Sequence, residues 1–308
     1  MGRVIQRRKV HRFLLDGSDA ALEIPVRFRE DVLAVEEPLE IRVGGLSFAV
    51  TMRTPGDDFD LVAGFLVSEG VIREAAELVS LRFCAREDED GRQTFNVVEA
   101  QLRPGVPVPE TGRKVYTSSS CGICGTDSIE AVRKTLAFDL RRDLLRVPVD
   151  VLAGLPGRLR EAQAVFDKTG GVHAAGLFRI GGRGEPELLC LREDVGRHNA
   201  VDKVVGWALR QGGLPLSGTV LQVSGRASFE LVQKAALAGI PVLAAVSAPS
   251  SLAVELAEET GLTLVGFSRG SSLNVYAGKD RISPAHNGPT TPPRNTATLE
   301  CRAVAQGD

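Results

Sequence analysis

"TVLQVSGRASFELVQKAALAGIPVLAAVSAPSSLAVELAEETGLTLVGFSRG", residues 219–270, decides the fold class. Three short runs in it, "TVLQVS", "IPVLAAV" and "LTLVGF", are apolar without alternation, the pattern of strands buried on both faces. Between them "SFELVQKAALAG" and "SSLAVELAEETG" carry the helical period, with Gly239 and Gly261 where helix C-caps belong. Strand and helix in this alternation predict an α/β layer with a largely parallel sheet.

Working outward, "VHAAGLFRI" and "PELLCLRE" read as strands around the turn "GGRGE". "RHNAVDKVVGWALRQGG" reads as a helix with Ala200, Val201, Val204, Val205, Ala208 and Leu209 on one face. The N-terminal part is mostly strand: "RFLL", "ALEIPVRFR", "VLAVEEPLEIRV", "LSFAVTMR", "LVSLRFC" and "QTFNVVEAQL". One helix, "TPGDDFDLVAGFLVSEG", interrupts it, with acidic residues in the first turn and Gly70 as a stop. The expected organisation is a β-rich N-terminal domain with a basic leader (1–112), a mobile loop holding a cysteine pair (113–126), an α/β domain (127–280) and a disordered Pro-rich tail (281–308). The chain as a whole is then α/β, or α+β when both parts are counted.

Composition bounds the function. The 308 residues have 43% hydrophobic and 25% charged content, as in globular domains, and a formal net charge of -2. That balance argues against bulk binding of nucleic acid or an anionic membrane. No apolar run approaches a membrane span, and "MGRVIQRRKVHRFLL" lacks a signal-peptide core, so a cytoplasmic protein is expected. Five cysteines in such a chain are not a disulfide framework. Cys84 and Cys190 sit in strand-like runs and read as packing residues, and Cys301 lies in the tail.

"YTSSSCGICGTDSIEAV", residues 116–132, holds Cys121 and Cys124. Structural zinc would need two further ligands, and the histidines are scattered singly, so no metal is expected. A thioredoxin-like pair should follow a strand and open a helix near the front of a small βαβ unit, whereas this pair follows a Pro- and Gly-rich stretch. A transferable sulfur fits best. Asp127 to Glu130 can form a capping box opening "SIEAVRKTLAF", which puts the thiols just ahead of a positive helix end, with Arg113 and Lys114 nearby.

"Gly266-Phe-Ser-Arg-Gly270" matches a G-x-S-x-G elbow, but a strand-like "SSLNVYAG" follows where a helix is required, so a serine hydrolase is disfavoured. The same loop leaves a strand end, where open α/β sheets bind nucleotides. Phe267 could pack on a base, and Ser268, Arg269, Gly270, Ser271 and Ser272 offer donors and room for phosphates. Two other strand-end turns point the same way. One holds Ser224 and Arg226 ahead of a helix with Ser228 as its N-cap; the other holds Asp194, Arg197, His198 and Asn199. His173 opens a strand nearby. The plain reading of each turn is a capping network with a surface ion pair; together they suggest one crevice.

"SSSCGICG", "TGGVHAAGLF", "REDVGRHNAVDKVVG", the run from Ser224 to Gly270 and "TPGDDFDLVAGFLVSEGVI" together resemble the FdhD family, sulfur carrier proteins required by formate dehydrogenases. The resemblance covers about residues 30–280. It implies a sulfurtransferase that accepts sulfur from a cysteine desulfurase as a persulfide on Cys121, with Cys124 as a secondary or resolving thiol. The client it implies is the molybdenum cofactor, Mo-bis(molybdopterin guanine dinucleotide), contacted at Phe267 to Ser272 and destined for formate dehydrogenase apoenzyme. It further implies a homodimer and a C-terminal part similar to the cytidine deaminase fold. Deaminase chemistry itself is not expected: His173 is followed by Ala-Ala and Cys121 is preceded by Ser, against the H-x-E and P-C-x-x-C of that signature. The competing class is a chaperone that only holds the cofactor.

Overall fold

The computed structural model describes residues 4–13, 26–84, 94–108, 136–181 and 185–285. Cys121, Cys124, the "SIEAVRK" helix start and the tail beyond residue 285 lie outside them.

A six-stranded sheet forms the centre, in the order β13 (Ser272–Ala277), β12 (Thr263–Arg269), β11 (Val242–Ala245), β10 (Thr219–Val223), β8 (His173–Ile180) and β9 (Pro186–Asp194). Only β10, β11 and β12 run parallel; β13, β8 and β9 are antiparallel to their neighbours. The expected parallel sheet is therefore restricted to its middle. The reason is connection length: the three central strands are joined through helices, whereas β8 and β9 are a hairpin and β12 turns directly into β13.

Alternation along the strands splits the apolar residues between two faces. Val220, Val242, Ala244, Val265 and Phe178 pack with Leu152 and Leu155 of α2 (Val149–Glu161). Leu221, Val223, Leu243, Ala245 and Leu264 face the other way, into a core with α4 (Arg197–Arg210), α5 (Phe229–Leu237) and α6 (Ser251–Thr260). Helices on both faces make three layers, and the α/β character expected for this half is present. Gly239 and Gly261, at φ 74° each, close α5 and α6 in the left-handed conformation.

Helix α2 is absent from the sequence-based reading because Gly154, Pro156 and Gly157 interrupt its pattern. Proline has no N–H for the carbonyl four residues back, so Leu152 loses its helical donor. The Ser268 hydroxyl, buried on β12, donates to the Leu152 oxygen at 3.2 Å and replaces it. Ser268→Ala should leave that carbonyl unsatisfied and destabilise the fold by about 1–3 kcal/mol, read as a lower midpoint in chemical denaturation. An unchanged midpoint would remove this role.

A four-stranded sheet, β4 (Leu46–Arg53), β3 (Glu37–Val43), β6 (Val97–Leu102) and β5 (Leu78–Phe83), lies on α1 (Asp58–Ser68). The other face of α1 crosses α4, so Leu39 and Ile41 of β3, Leu61 and Leu66 of α1, and Val201 and Val205 of α4 belong to one buried core. Arg53 at the end of β4 is 1% exposed. Its guanidinium bonds Asp58 at 2.8 Å and Asn96 at 3.1 Å, tying the strand end to the first turn of α1. A short helix, α3 (Ala164–Thr169), is held by Glu193, whose carboxylate accepts from Val165 N and Phe166 N at 2.8 Å each.

The basic leader contains a longer strand than alternation shows, of which the sequence reading marks only the end, at "RFLL". Ile5–Phe13 (β1) pairs antiparallel with Val26–Ala34 (β2) over nine residues, forming a ribbon separate from both sheets. Most of its residues face solvent on both sides, so no apolar period marks its full length in the sequence.

Candidate functional site

The carboxyl ends of β10, β11 and β12 lie on one edge of the central sheet. Because β8 and β9 are antiparallel, the start of β8 at His173 and the end of β9 at Asp194 join that edge, paired to each other. The three turns singled out in the sequence thus share one side of the molecule. They are laced together by backbone: Ser247 N donates to Gly225 O at 3.4 Å, Ser250 N to Ala227 O at 3.0 Å, and Phe267 N to Ser247 O at 3.2 Å. Helices α4, α5 and α6 all begin here, with Gly196, Ser228 and Ser250 at their N-caps. Three positive helix ends converge on this edge.

The candidate residues divide into two groups. Asp194 and Asn199 are buried and form a structural network. The Asp194 carboxylate pairs with Lys203 Nζ at 2.8 Å and accepts from Thr54 N at 3.1 Å, Gly196 N at 2.8 Å and Asn199 Nδ2 at 3.1 Å. Asn199 also donates to Met52 O at 2.7 Å and accepts from the Thr51 hydroxyl at 3.2 Å. Burial pushes the Asp194 carboxyl up, opposed by the Lys203 ammonium and the N–H donors around it. These side chains rivet β4 to α4, and their polar atoms are spent on protein partners. Ser224 is committed likewise, its hydroxyl accepting from Ala174 N at 2.9 Å. Ser268 holds α2.

The second group is open. His173 and Arg197 lie beside Gly225: a Cβ on that glycine would sit 3.5 Å from His173 Nδ1 and 3.8 Å from Arg197 Cδ. His173 is held below the usual histidine range by burial, then by the Arg197 and His198 charges. The buried Arg197 Nε makes no hydrogen bond among the described residues. His198 Nε2 lies 2.7 Å from Glu230 and 3.3 Å from the Ser228 hydroxyl, so Ser228 occupies the N-cap without capping through its side chain. That contact draws the Glu230 carboxyl down. Arg226, Phe267, Arg269, Gly270, Ser271 and Ser272 are exposed. Phe267 has φ 50°, unusual for an aromatic residue, at an irregularity where β12 leaves its register with β13, and Arg269 lies 6.0 Å over its ring. Among the described residues, the carboxylates of this edge, Glu193, Asp194 and Glu230, are engaged, which leaves a cationic shelf with the exposed ring of Phe267. Such a shelf suits a phosphate-bearing ligand with a flat base.

Comparison with known proteins gives the family and the fold. The family model described as "FdhD/NarQ family" matches residues 34–283. A sulfur carrier protein FdhD of Streptomyces avermitilis is 60% identical over 286 residues, covering 92% of this chain and 97% of the relative. The protein of that name from Saccharolobus solfataricus is 47% identical, covering 82% and 91%. The chain belongs to the FdhD/NarQ family. A crystal structure from Desulfotalea psychrophila, provisionally described as a formate dehydrogenase accessory protein, superposes with a TM-score of 0.67 at 24% identity. It covers 91% of this chain and 100% of that one, and shows the fold to be shared.

In this FdhD/NarQ chain the sequence reading missed two partners, Lys203 and Glu230. Lys203 lies one helical turn from Asn199, a spacing that places both on one face of α4. That was a usable signal. Glu230 carried none, since only the fold brings α5 to α4. Of the cysteines outside the pair, Cys190 is buried, with its thiol pushed up to about 12 mainly by desolvation, and Cys84 is half-buried. No helix among the described residues is long and apolar enough to cross a membrane.

Proposed function

We propose that this chain is a persulfide sulfur carrier that takes sulfur from a cysteine desulfurase and delivers it to Mo-bis(molybdopterin guanine dinucleotide) for formate dehydrogenase. The observation that carries the reading is the Cys121–Cys124 pair in a family whose relatives bear the name of sulfur carriers. The Cys121 thiolate attacks the terminal sulfur of the donor's persulfide. The bond between that sulfur and the donor cysteine breaks, the donor leaves as a thiolate, and the sulfur keeps its oxidation level. For release as sulfide, Cys124 attacks the Cys121 sulfur; hydrosulfide departs and the two cysteines are left as a disulfide, which a cellular dithiol reduces. Such a cycle belongs in a reducing cytoplasm.

The cationic shelf supports the client half of the reading. Arg226 and Arg269 suit the phosphates of the guanine dinucleotide, and Phe267 suits its base, with Ser271 and Ser272 as further donors. The carrier acts as a homodimer in this proposal. The same shelf would equally serve a chaperone that holds the cofactor without carrying sulfur, and one experiment separates the two. Incubated with desulfurase and cysteine, the protein should gain one sulfur atom by intact-mass spectrometry, and Cys121→Ala should gain none. An unmodified wild type, or equal loading of the variant, would overturn the carrier reading.

A further inference from the structure

The ribbon of β1 and β2 precedes the residues that the family model matches, which begin at Ala34 where β2 ends, and it has no part in the site described above. Its strands carry six cations, Arg7, Arg8, Lys9, Arg12, Arg27 and Arg29, against the carboxylates of Glu30 and Asp31. Six cations against two carboxylates leave the strands net positive, and since the whole chain has a net charge of -2 the remainder is net acidic. The register sorts it by face. Residues directly opposite in an antiparallel pair point to the same side, as do residues two apart. Arg12 opposes Arg27, Val10 opposes Arg29 and Arg8 opposes Asp31, so one face holds four arginines and one carboxylate. Asp31 is engaged by Arg29 at 2.9 Å. On the other face Arg7 pairs with Glu30 at 3.1 Å.

Arg8, Arg12 and Arg27 have no ion-pair partner among the described residues. Arg12 and Arg27 confront each other directly, with no carboxylate paired to either among the described residues. The opposite face ends in an apolar tip: Phe28 is 77% exposed and Phe13 60%, with His11 edge-on to Phe28 at 4.4 Å. A two-stranded ribbon with both faces in water is marginal alone, and charge and exposed aromatic surface in this combination mark an interaction site. The root of the ribbon lies close to the start of β8. Gly171, two residues before His173, would set a Cβ 3.6 Å from that of Ala34.

We infer that the ribbon is the docking arm for the sulfur donor, gripping a carboxylate-rich patch on the surface of that protein. The inference rests on the sulfur-carrier reading and supplies it with a partner surface. An extended polyanion is disfavoured because the net-acidic remainder of the chain would repel it, whereas a local acidic patch meets the ribbon alone. Transfer between two protein thiols requires a brief encounter, and charge steering accelerates association without slowing release.

The test compares the wild-type chain with an Arg8→Glu/Arg12→Glu/Arg27→Glu variant, none of whose positions belongs to the site. Desulfurase-driven sulfur loading should fall by about tenfold or more in the variant, and wild-type loading should weaken with added salt while the variant's does not. Loading from a small-molecule persulfide, which needs no docking, should be equal in both. Equal desulfurase-driven rates with equal salt slopes would overturn the inference. So would a change in oligomeric state on sedimentation, which would make the ribbon a contact between copies, or salt-sensitive retention of a DNA duplex by the wild type alone. If the wild type takes sulfur from neither source, the carrier reading fails. The docking arm is then read directly, as desulfurase binding lost in the variant; binding equal in both chains would overturn it.

Discussion

Gly206→Ala should prevent the chain from folding stably. Helices α1 and α4 cross with their backbones in contact, and a Cβ on Gly206 would lie 1.8 Å from the Asp60 carbonyl oxygen and 2.5 Å from Gly64 N. The crossing is reciprocal: a Cβ on Gly64 would lie 1.8 Å from Asp202 O. Both obstacles are backbone inside a helix, so no rotamer change relieves them. Overpacking a core typically costs about 1–3 kcal/mol where side chains can shift. Here the helices themselves must separate and open the core between the N-terminal sheet and the central one, so a loss of at least about 4 kcal/mol is expected. The measurement is soluble yield together with the thermal midpoint, compared with Gly212→Ala. At Gly212 a Cβ would meet nothing within 4 Å, and the cost there is only that of φ 70°. A Gly206→Ala protein as stable as that control would refute the close crossing.

Lys203→Met should be the most damaging substitution of a charged residue. The ammonium is 1% exposed, pairs with Asp194 at 2.8 Å, and donates to Thr54 O at 2.9 Å. Methionine fills much of the space but leaves the Asp194 carboxylate buried without its counter-charge. Breaking a buried pair from one side costs about 3–5 kcal/mol. Because Thr51, Met52 and Thr54 hang on the same network, the damage should include release of the β4 end from α4, visible as faster amide exchange there. Asp194→Asn in the Lys203→Met background removes the orphaned charge and should restore part of the stability. The double variant should therefore be more stable than the sum of the single losses predicts. Strict additivity would mean that the two residues do not act as a pair.

How much of this was legible beforehand depends on the range of the interaction. The central strands and helices α4, α5 and α6 are written locally, in apolar periods and glycine caps, and they appear where the sequence puts them. Helix α2 was illegible because the donor that compensates for Pro156 comes from Ser268, 112 positions along the chain from it by number. The same bond explains why Ser268, which reads as a ligand donor in a Gly- and Ser-rich loop, faces inward while Phe267 and Arg269 face out.

The sequence by itself determined the chemistry-bearing residue types, the strand–helix grammar of residues 219–270 and the family resemblance, because each is carried by neighbours within a few positions. Only the tertiary structure decided which polar residues are free. Asp194, Asn199 and Ser224 look equal to Arg197 and His173 along the chain. Folding closes hydrogen bonds around the first three and leaves the Arg197 Nε without one among the described residues, since a buried donor is satisfied or orphaned only by what the fold brings beside it.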